Sequence, residues 1–181
     1  MTSPLLLDIQ NLSVGLEHGP TVVEDASLSI ARGRILAVVG ESGSGKTVVS
    51  RAVLDLLPSP LIRRSGRILF DGRDVTGLST EERNIAQVFQ FPVVYDTMTV
   101  YDNLAFPLRN RGVPEREVDA RVREILEMID LADRAKKKAR GLTADLKQKI
   151  SLGRGLVRND VSAILFDEPL TVIDPHMKWM L

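Results

Sequence analysis

Cysteine is absent from the 181 residues, which excludes disulfides and thiolate metal sites. Aromatic residues make up only 4% of the chain. None precedes Phe70, so the chain before it offers no Phe, Tyr or Trp ring to stack on a planar ligand. Charge of one sign is not in excess: Lys plus Arg and Asp plus Glu both number 24. The balance gives no electrostatic case for a nucleic acid partner. No apolar run nears the roughly 18 residues of a membrane-spanning helix, and no basic-then-apolar leader opens the sequence. Internal repeats, heptads and low-complexity tracts are missing as well. These absences leave a chain sized for one domain with a real core, either soluble or docked on a membrane protein.

The patterns that are present alternate between two periods. LLLDIQNLSV (5–14) and VVEDASLSI (22–30) mix apolar and polar positions as strands do, with a Gly19–Pro20 break between them. ILAVV (35–39) is continuously apolar and predicts a strand buried on both faces. It leads into glycine-rich GESGSGKT and then VVSRAVLDLL (48–57), where Val49, Ala52, Val53 and Leu56 form a helical stripe ended by Pro58 and Pro60. GRILFDG (66–72) predicts a strand entering an Asp-Gly turn, and IAQVFQ (85–90) another short strand.

After Pro92 the pattern turns helical. Thr99 to Asp102 reads as a capping box with Asp in place of Glu. Val118, Val122, Ile125, Leu126 and Ile129 share one face of a helix over 115–130. Residues 145–157 read as a further helix, and VSAILF (161–166) as a buried strand ending in Asp167 and Glu168. Strands at both ends with helices between them predict an α/β fold, with residues 92–158 as a helical subdomain inserted between core strands.

GESGSGKT (40–47) fits the phosphate-loop pattern G-x-x-x-x-G-K-[ST] completely. A nucleoside triphosphate packs several negative charges into a few ångströms. Gly40, Gly43 and Gly45 let the backbone turn tightly and bring the N–H groups of Glu41, Ser42, Ser44 and their neighbours against the phosphates. The positive end of the helix after Thr47 points to the same place. Lys46 would reach the β- and γ-phosphates, and the Thr47 hydroxyl would bind Mg²⁺. Far downstream, AILFDE (163–168) sets two acids at the carboxyl end of a strand, the edge where open α/β sheets bind ligands. Asp167 would hold Mg²⁺ and Glu168 would polarise the attacking water.

With both motifs in hand, the chain resembles the ATP-binding subunit of an ABC transporter over essentially its whole length. The resemblance implies a P-loop ATPase core with a mixed sheet, an antiparallel β edge and an inserted helical subdomain. It makes residues 1–181 one partial ATP-binding domain with the last core strands missing. VFQ (88–90) resembles the glutamine loop, so Gln90 would contact Mg²⁺ and the attacking water. DEPLTVID (167–174) resembles the Walker B acids joined to the D-loop, ending in Asp174. The family implies ATP and Mg²⁺ as ligands, transmembrane permease subunits and a second ATP-binding subunit as partners, and the cytoplasmic face of the membrane as location. Residues 1–80 look most like peptide-type importers. From Arg83 on, the chain looks like carbohydrate- or glycerol-type importers, which suggests a fusion with a seam near 78–84.

Three departures from the family bear on activity. Where it carries L-S-G-G-Q, this chain reads LTADL (142–146), followed by KQKISLGRGL with the family's usual arginine at Arg154. Thr143 keeps a hydroxyl for the γ-phosphate of the opposite subunit. Ala144 adds a methyl group where backbone must come close. Asp145, the only acid among nine Lys and Arg in residues 134–158, adds negative charge. Two like charges ~4 Å apart repel by roughly 4 kcal/mol at an effective dielectric of ~20. The plain alternative for Asp145 is a capping acid that favours its own helix dipole. Secondly, no aromatic stands before the phosphate loop to stack on adenine, and GLEHGP (15–20) offers only His18. Thirdly, no switch histidine follows Glu168 at the family's distance, and His176 is too near. The expectation is therefore an importer ATPase. The alternative is a regulatory partner or fragment that binds ATP without efficient turnover.

Overall fold

Residues 5–169 are described by the structure, a computed structural model; Asp174 and His176 lie outside them. The chain divides into two units, Met1–Ile85 and Ala86–Leu181.

In the first unit, alternation over LLLDIQNLSVGL makes β1 (Leu5–Leu16). Leu7, Ile9, Leu12 and Val14 are buried, while the residues between them are partly exposed. β1 pairs antiparallel with β2 (Thr21–Ala31) on one side and β3 (Leu61–Phe70) on the other. A two-residue β4 (Arg73–Asp74) completes the order β2-β1-β3-β4. The Asp71-Gly72 turn joins β3 to β4 as its residue types predict. β1 and β3 approach so closely that a Cβ on Gly66 would lie 2.5 Å from Leu12 Cα.

Helix α1 (Lys46–Val53) ends four residues before the predicted Leu57. Leu54 is buried in place of Leu56, which is exposed. The reason lies in Arg83, at the end of the one-turn α2 (Thr80–Arg83). Arg83 is only 2% exposed. Nη1 donates to Ala52 O and Val53 O at 3.1 and 2.6 Å, taking up two of the orphan carbonyls of the last α1 turn. Nε and Nη2 donate to Leu78 O and Thr76 O at 2.9 and 3.1 Å. The predicted seam near 78–84 thus falls on a residue wired into the unit it ends.

Residues 35–39 depart from expectation. They form no strand, and Ile35 and Val39 are 99% and 90% exposed. An all-apolar run is stable as a strand only where neighbouring strands pair its backbone and its faces are covered. Among the described residues no strand pairs with it.

In the second unit, β5 (Ile85–Val88) and β6 (Ala163–Phe166) make a two-stranded sheet. β6 is half-buried rather than fully buried, and Phe166 is 49% exposed, because a two-stranded sheet cannot cover both faces. Helices α3 (Val100–Arg109), α4 (Glu115–Met128) and α5 (Ala144–Leu156) lie between these strands in the chain. A single 3₁₀ turn over Ala132–Arg134 links α4 toward α5. The predicted stripe on α4 is buried with Val100, Leu104 and Leu108 of α3 and Ile150 of α5 in one core. Thr99 caps α3: the Asp102 N–H donates to its Oγ1 at 2.9 Å, and its hydroxyl donates back to Asp102 Oδ2 at 2.6 Å. Arg121 of α4 closes the other end of α5 by donating to Leu156 O and Val157 O at 2.7 and 3.0 Å.

Candidate functional site

The phosphate loop lies in the first unit, between residue 40 and the start of α1. Gly43 and Gly45 have φ of 81° and 91°, the left-handed conformation that glycine adopts without strain. Gly45 is the N-cap of α1. A Cβ there would press within 2.8 Å of Val23 Cγ2, so the helix start is seated against β2. Lys46, the first helical residue, folds back over the loop. Its Nζ donates to Gly40 O at 2.8 Å and Glu41 O at 2.7 Å, with Ser44 Oγ at 3.4 Å. Glu41, Ser42, Gly43 and Ser44 are exposed, and Thr47 follows Lys46 in the first turn. An ammonium, the first-turn N–H groups of a helix and an exposed glycine-rich loop converge here. That is the chemistry of a polyphosphate cradle.

The carboxylate site lies in the second unit, where β5 and β6 end side by side. The Asp167 N–H donates to Val88 O at 2.9 Å, and Asp167 is 8% exposed. Glu168 is exposed and held at φ 46°, which is rare for a residue with a Cβ. Gln90 Nε2 donates to Glu168 Oε2 at 3.3 Å. The fold therefore brings together Gln90, Asp167 and Glu168, three residues singled out in the sequence. Gly40 to Thr47 gather separately in the first unit. Among the described residues no cluster of three or more His, Cys, Asp or Glu is placed to hold a metal. The donor set suits a hard cation that takes one or two carboxylate oxygens and completes its shell with water and substrate phosphates, as Mg²⁺ does.

Thr143 is the N-cap of α5 in extended conformation, but its side chain makes no capping bond. Thr143 and Ala144 are exposed and Asp145 stands in the first turn. Thr143 Oγ1 is thus not committed to its own helix, unlike Thr99 of α3.

A groove of about 600 Å³ runs along the helical part of the second unit, lined by residues that include Thr99, Tyr101, Asp102, Asp119, Glu127 and Lys136. Its polar rim is internally paired. Tyr101 Oη donates to Asp119 Oδ1 at 3.1 Å, and Arg123 Nε donates to Asp119 Oδ2 at 2.9 Å. The Arg123 bond, aided by Tyr101, holds the Asp119 carboxyl below its ordinary range, while burial followed by the Asp119 contact pushes the Tyr101 phenol up.

Sequence reasoning passed over Gln148. It is fully buried on α5, and its Nε2 donates to Phe89 O at 2.9 Å and Pro169 O at 2.8 Å. The available signal was an uncharged amide between two lysines, next to apolar Ile150. Arg83 was missed likewise, because nothing in its local pattern separates a buried capping arginine from an exposed one. Among the described residues no helix is long and apolar enough to cross a membrane.

Comparison with known proteins adds a family. The family model described as ABC transporter matches residues 23–171. An uncharacterized ABC transporter ATP-binding protein, y4fO of Sinorhizobium fredii, is 37% identical over 173 residues, covering 96% of this chain and 49% of its own length. The spermidine/putrescine import ATP-binding protein PotA of Thermobifida fusca is 40% identical over 158 residues, covering 87% of this chain and 40% of its own. The trehalose/maltose import ATP-binding protein MalK of Thermococcus litoralis is 38% identical over 160 residues, covering 87% and 43%. The chain spans less than half the length of each of these relatives. A solved structure described as an ATP binding subunit of an ABC transporter superposes with TM-score 0.81 at 25% identity, covering 97% of this chain and 71% of that one.

Proposed function

The chain belongs to the ABC transporter family, and from that premise we propose that it binds and hydrolyses ATP to energise solute import. The observation that carries the reading is the glycine-capped start of α1, with Lys46 Nζ lodged against Gly40 O and Glu41 O. A triphosphate entering the loop would take the ammonium from these carbonyls and accept N–H bonds from residues 41–47. Mg²⁺ would supply positive charge to offset that of the phosphates; Thr47 in the first unit and, in the second, Asp167 and Gln90 are residues of the kind that would hold it. Glu168 orients and polarises the attacking water, and Gln90 keeps Glu168 in place through the 3.3 Å bond. Catalysis is then positioning and charge neutralisation, with little covalent chemistry for the protein to perform.

Residues 92–158 serve in this reading as the helical subdomain that faces the transmembrane permease subunits. The groove between Thr99 and Lys136 is the surface that would receive a permease segment. A second ATP-binding subunit completes each site, with Thr143 turned toward the γ-phosphate across the dimer. The chain works at the cytoplasmic face of the membrane, with no nucleic acid partner. The solute is of the carbohydrate- or glycerol-like class or a peptide, chosen by the permease rather than by this chain.

One observation favours a second reading, binding without efficient turnover. Asp145 sits in the first turn of α5, where an approaching γ-phosphate needs positive potential. Calorimetry with Mg·ATP beside a phosphate-release assay tests both. Binding that Lys46→Ala weakens at least tenfold, together with release, is expected. Binding without release selects the second reading, and no binding overturns both.

A further inference from the structure

We propose that Gln148 is a positioning residue that fixes the separation of the Gln90-bearing and Glu168-bearing segments; its catalytic consequence rests on the ATPase reading above. One amide group spans both segments. Its two hydrogens go to Phe89 O, one residue before Gln90, and to Pro169 O, one residue after Glu168. The distances, 2.9 and 2.8 Å, are those of well-formed bonds. The side chain is fully buried, while Phe89 and Pro169 are half-buried. The same side of α5 holds the Gln90 segment at further points. The Val93 N–H donates to Ser151 Oγ at 3.4 Å, and Arg154 Nη1 donates to Val93 O at 2.6 Å. Positions 148, 151 and 154 recur every three residues and share a side of the helix.

The other half of the amide sharpens the inference. Gln148 Oε1 is buried and has no hydrogen-bond partner among the described residues. Such an orphan acceptor is costly, and an apolar side chain of the same length would avoid the cost. The two donor bonds are what an apolar side chain could not make. They act where the backbone is under strain, since Pro169 follows Glu168 at φ 46°. Holding Pro169 O keeps Glu168 in that conformation and so keeps its carboxylate beside Gln90. Because Thr143 is the N-cap of α5, any shift of that helix N-terminus is carried to both segments by the same amide.

The test uses the full chain and two variants. Gln148→Met keeps length and removes both donors; Gln148→Asn keeps the amide but withdraws it by one methylene from both carbonyls. Amide hydrogen exchange is followed by mass spectrometry over 88–93, 166–169 and, as an internal reference, α4. At least tenfold faster exchange in the first two segments with α4 unchanged is expected in both variants. In the phosphate-release assay kcat should fall at least tenfold with KM unchanged. Should Gln148→Met not fold, Gln148→Asn carries the same comparison. Exchange that is unchanged, or that rises equally in α4, overturns the proposal, as does a kcat equal to that of the parent. A parent chain that releases no phosphate removes the ATPase reading, and the exchange data still decide the linkage.

Discussion

Gln90 Nε2 and Glu168 Oε2 lie 3.3 Å apart, joining the segment after β5 to the residue pair after β6. The amide donates and the carboxylate accepts. On the proposed function, Glu168→Gln removes the acceptor of a water proton while preserving shape. Phosphate release should fall by about 10²–10⁴-fold. Mg·ATP binding by calorimetry should be unchanged, since Glu168 is not among the phosphate ligands.

Asp145→Gly tests the altered signature. The substitution removes a carboxylate from the first turn of α5 and restores an open backbone. It also removes a favourable dipole interaction of about 0.3–1 kcal/mol, so the variant should unfold at slightly lower urea. Turnover should nevertheless rise, by about tenfold for each 1.4 kcal/mol of repulsion removed from the transition state. A rate equal to that of the parent leaves Asp145 as a capping acid only.

Much of this site was legible and much was not, for physical reasons. GESGSGKT demands its conformation locally: positive φ at Gly43 and Gly45 can be read from residue type. The α4 stripe was legible because one apolar face at period 3.6 has one way to be buried. The run at 35–39 misled because apolarity specifies a strand only if partners are there to pair with it. Gln148 and Arg83 were illegible because their partners are backbone carbonyls, Phe89 and Pro169 for one, Ala52 and Val53 for the other. A carbonyl carries no sequence signature, so hydrogen bonds made to carbonyls leave none, and the ion pair of Arg83 with exposed Asp55 at 3.7 Å spans 28 residues of chain with no local pattern to mark it.

Arg83→Met should destabilise the first unit by about 3 kcal/mol. Methionine fills similar volume but leaves the carbonyls of Ala52, Val53, Leu78 and Thr76 without their charged donor, and hydrogen bonds to charged groups are worth about 1.5–3 kcal/mol each. Burial already lowers the Arg83 pKa, partly offset by Asp55, so some desolvation cost is recovered on substitution. Urea unfolding followed by exchange within α1 gives the measurement. A loss below about 1 kcal/mol would show the cap to be dispensable.

Acid stability should depend on Asp74. The Thr76 hydroxyl, then the Thr76 N–H and Arg67, donate to its carboxylate and hold its pKa at about 2 against the ordinary 3.8. A folded pKa below the unfolded one adds stability that is full above 3.8 and is lost as pH falls toward about 2. Other lowered carboxyls, among them Asp102 and Asp160, contribute in the same direction. The diagnostic is therefore a difference: Asp74→Asn should show a shallower fall in urea midpoint than the parent across that window. Parallel curves would mean that Asp74 is equally paired in the unfolded chain.

Gly155 and Val88 should be energetically coupled, because their contact sets how closely α5 approaches β5. A Cβ at Gly155 would lie 2.6 Å from Val88 Cγ2, and among the described residues no other atom outside the helix's own nearby backbone lies within 4 Å. Gly155→Ala gains about 1 kcal/mol of helix propensity but overpacks a buried valine, at a cost of about 1–3 kcal/mol. Its net effect should be destabilising by up to about 2 kcal/mol. In a Val88→Ala background the clash is gone, and Gly155→Ala should stabilise by about 1 kcal/mol. Gly153 is the control. A Cβ there meets Leu104 Cδ2 at 2.8 Å and both Ile125 Cγ2 and Ile129 Cδ1 at 3.0 Å, so Val88→Ala cannot rescue Gly153→Ala. A double-mutant cycle by urea unfolding reads both couplings. The geometry also links packing to function. If the methyl group added by Gly155→Ala pushes α5 from β5, Gln148 is drawn away from Phe89 O, and the variant should speed exchange over 88–93 in the same sense as Gln148→Asn.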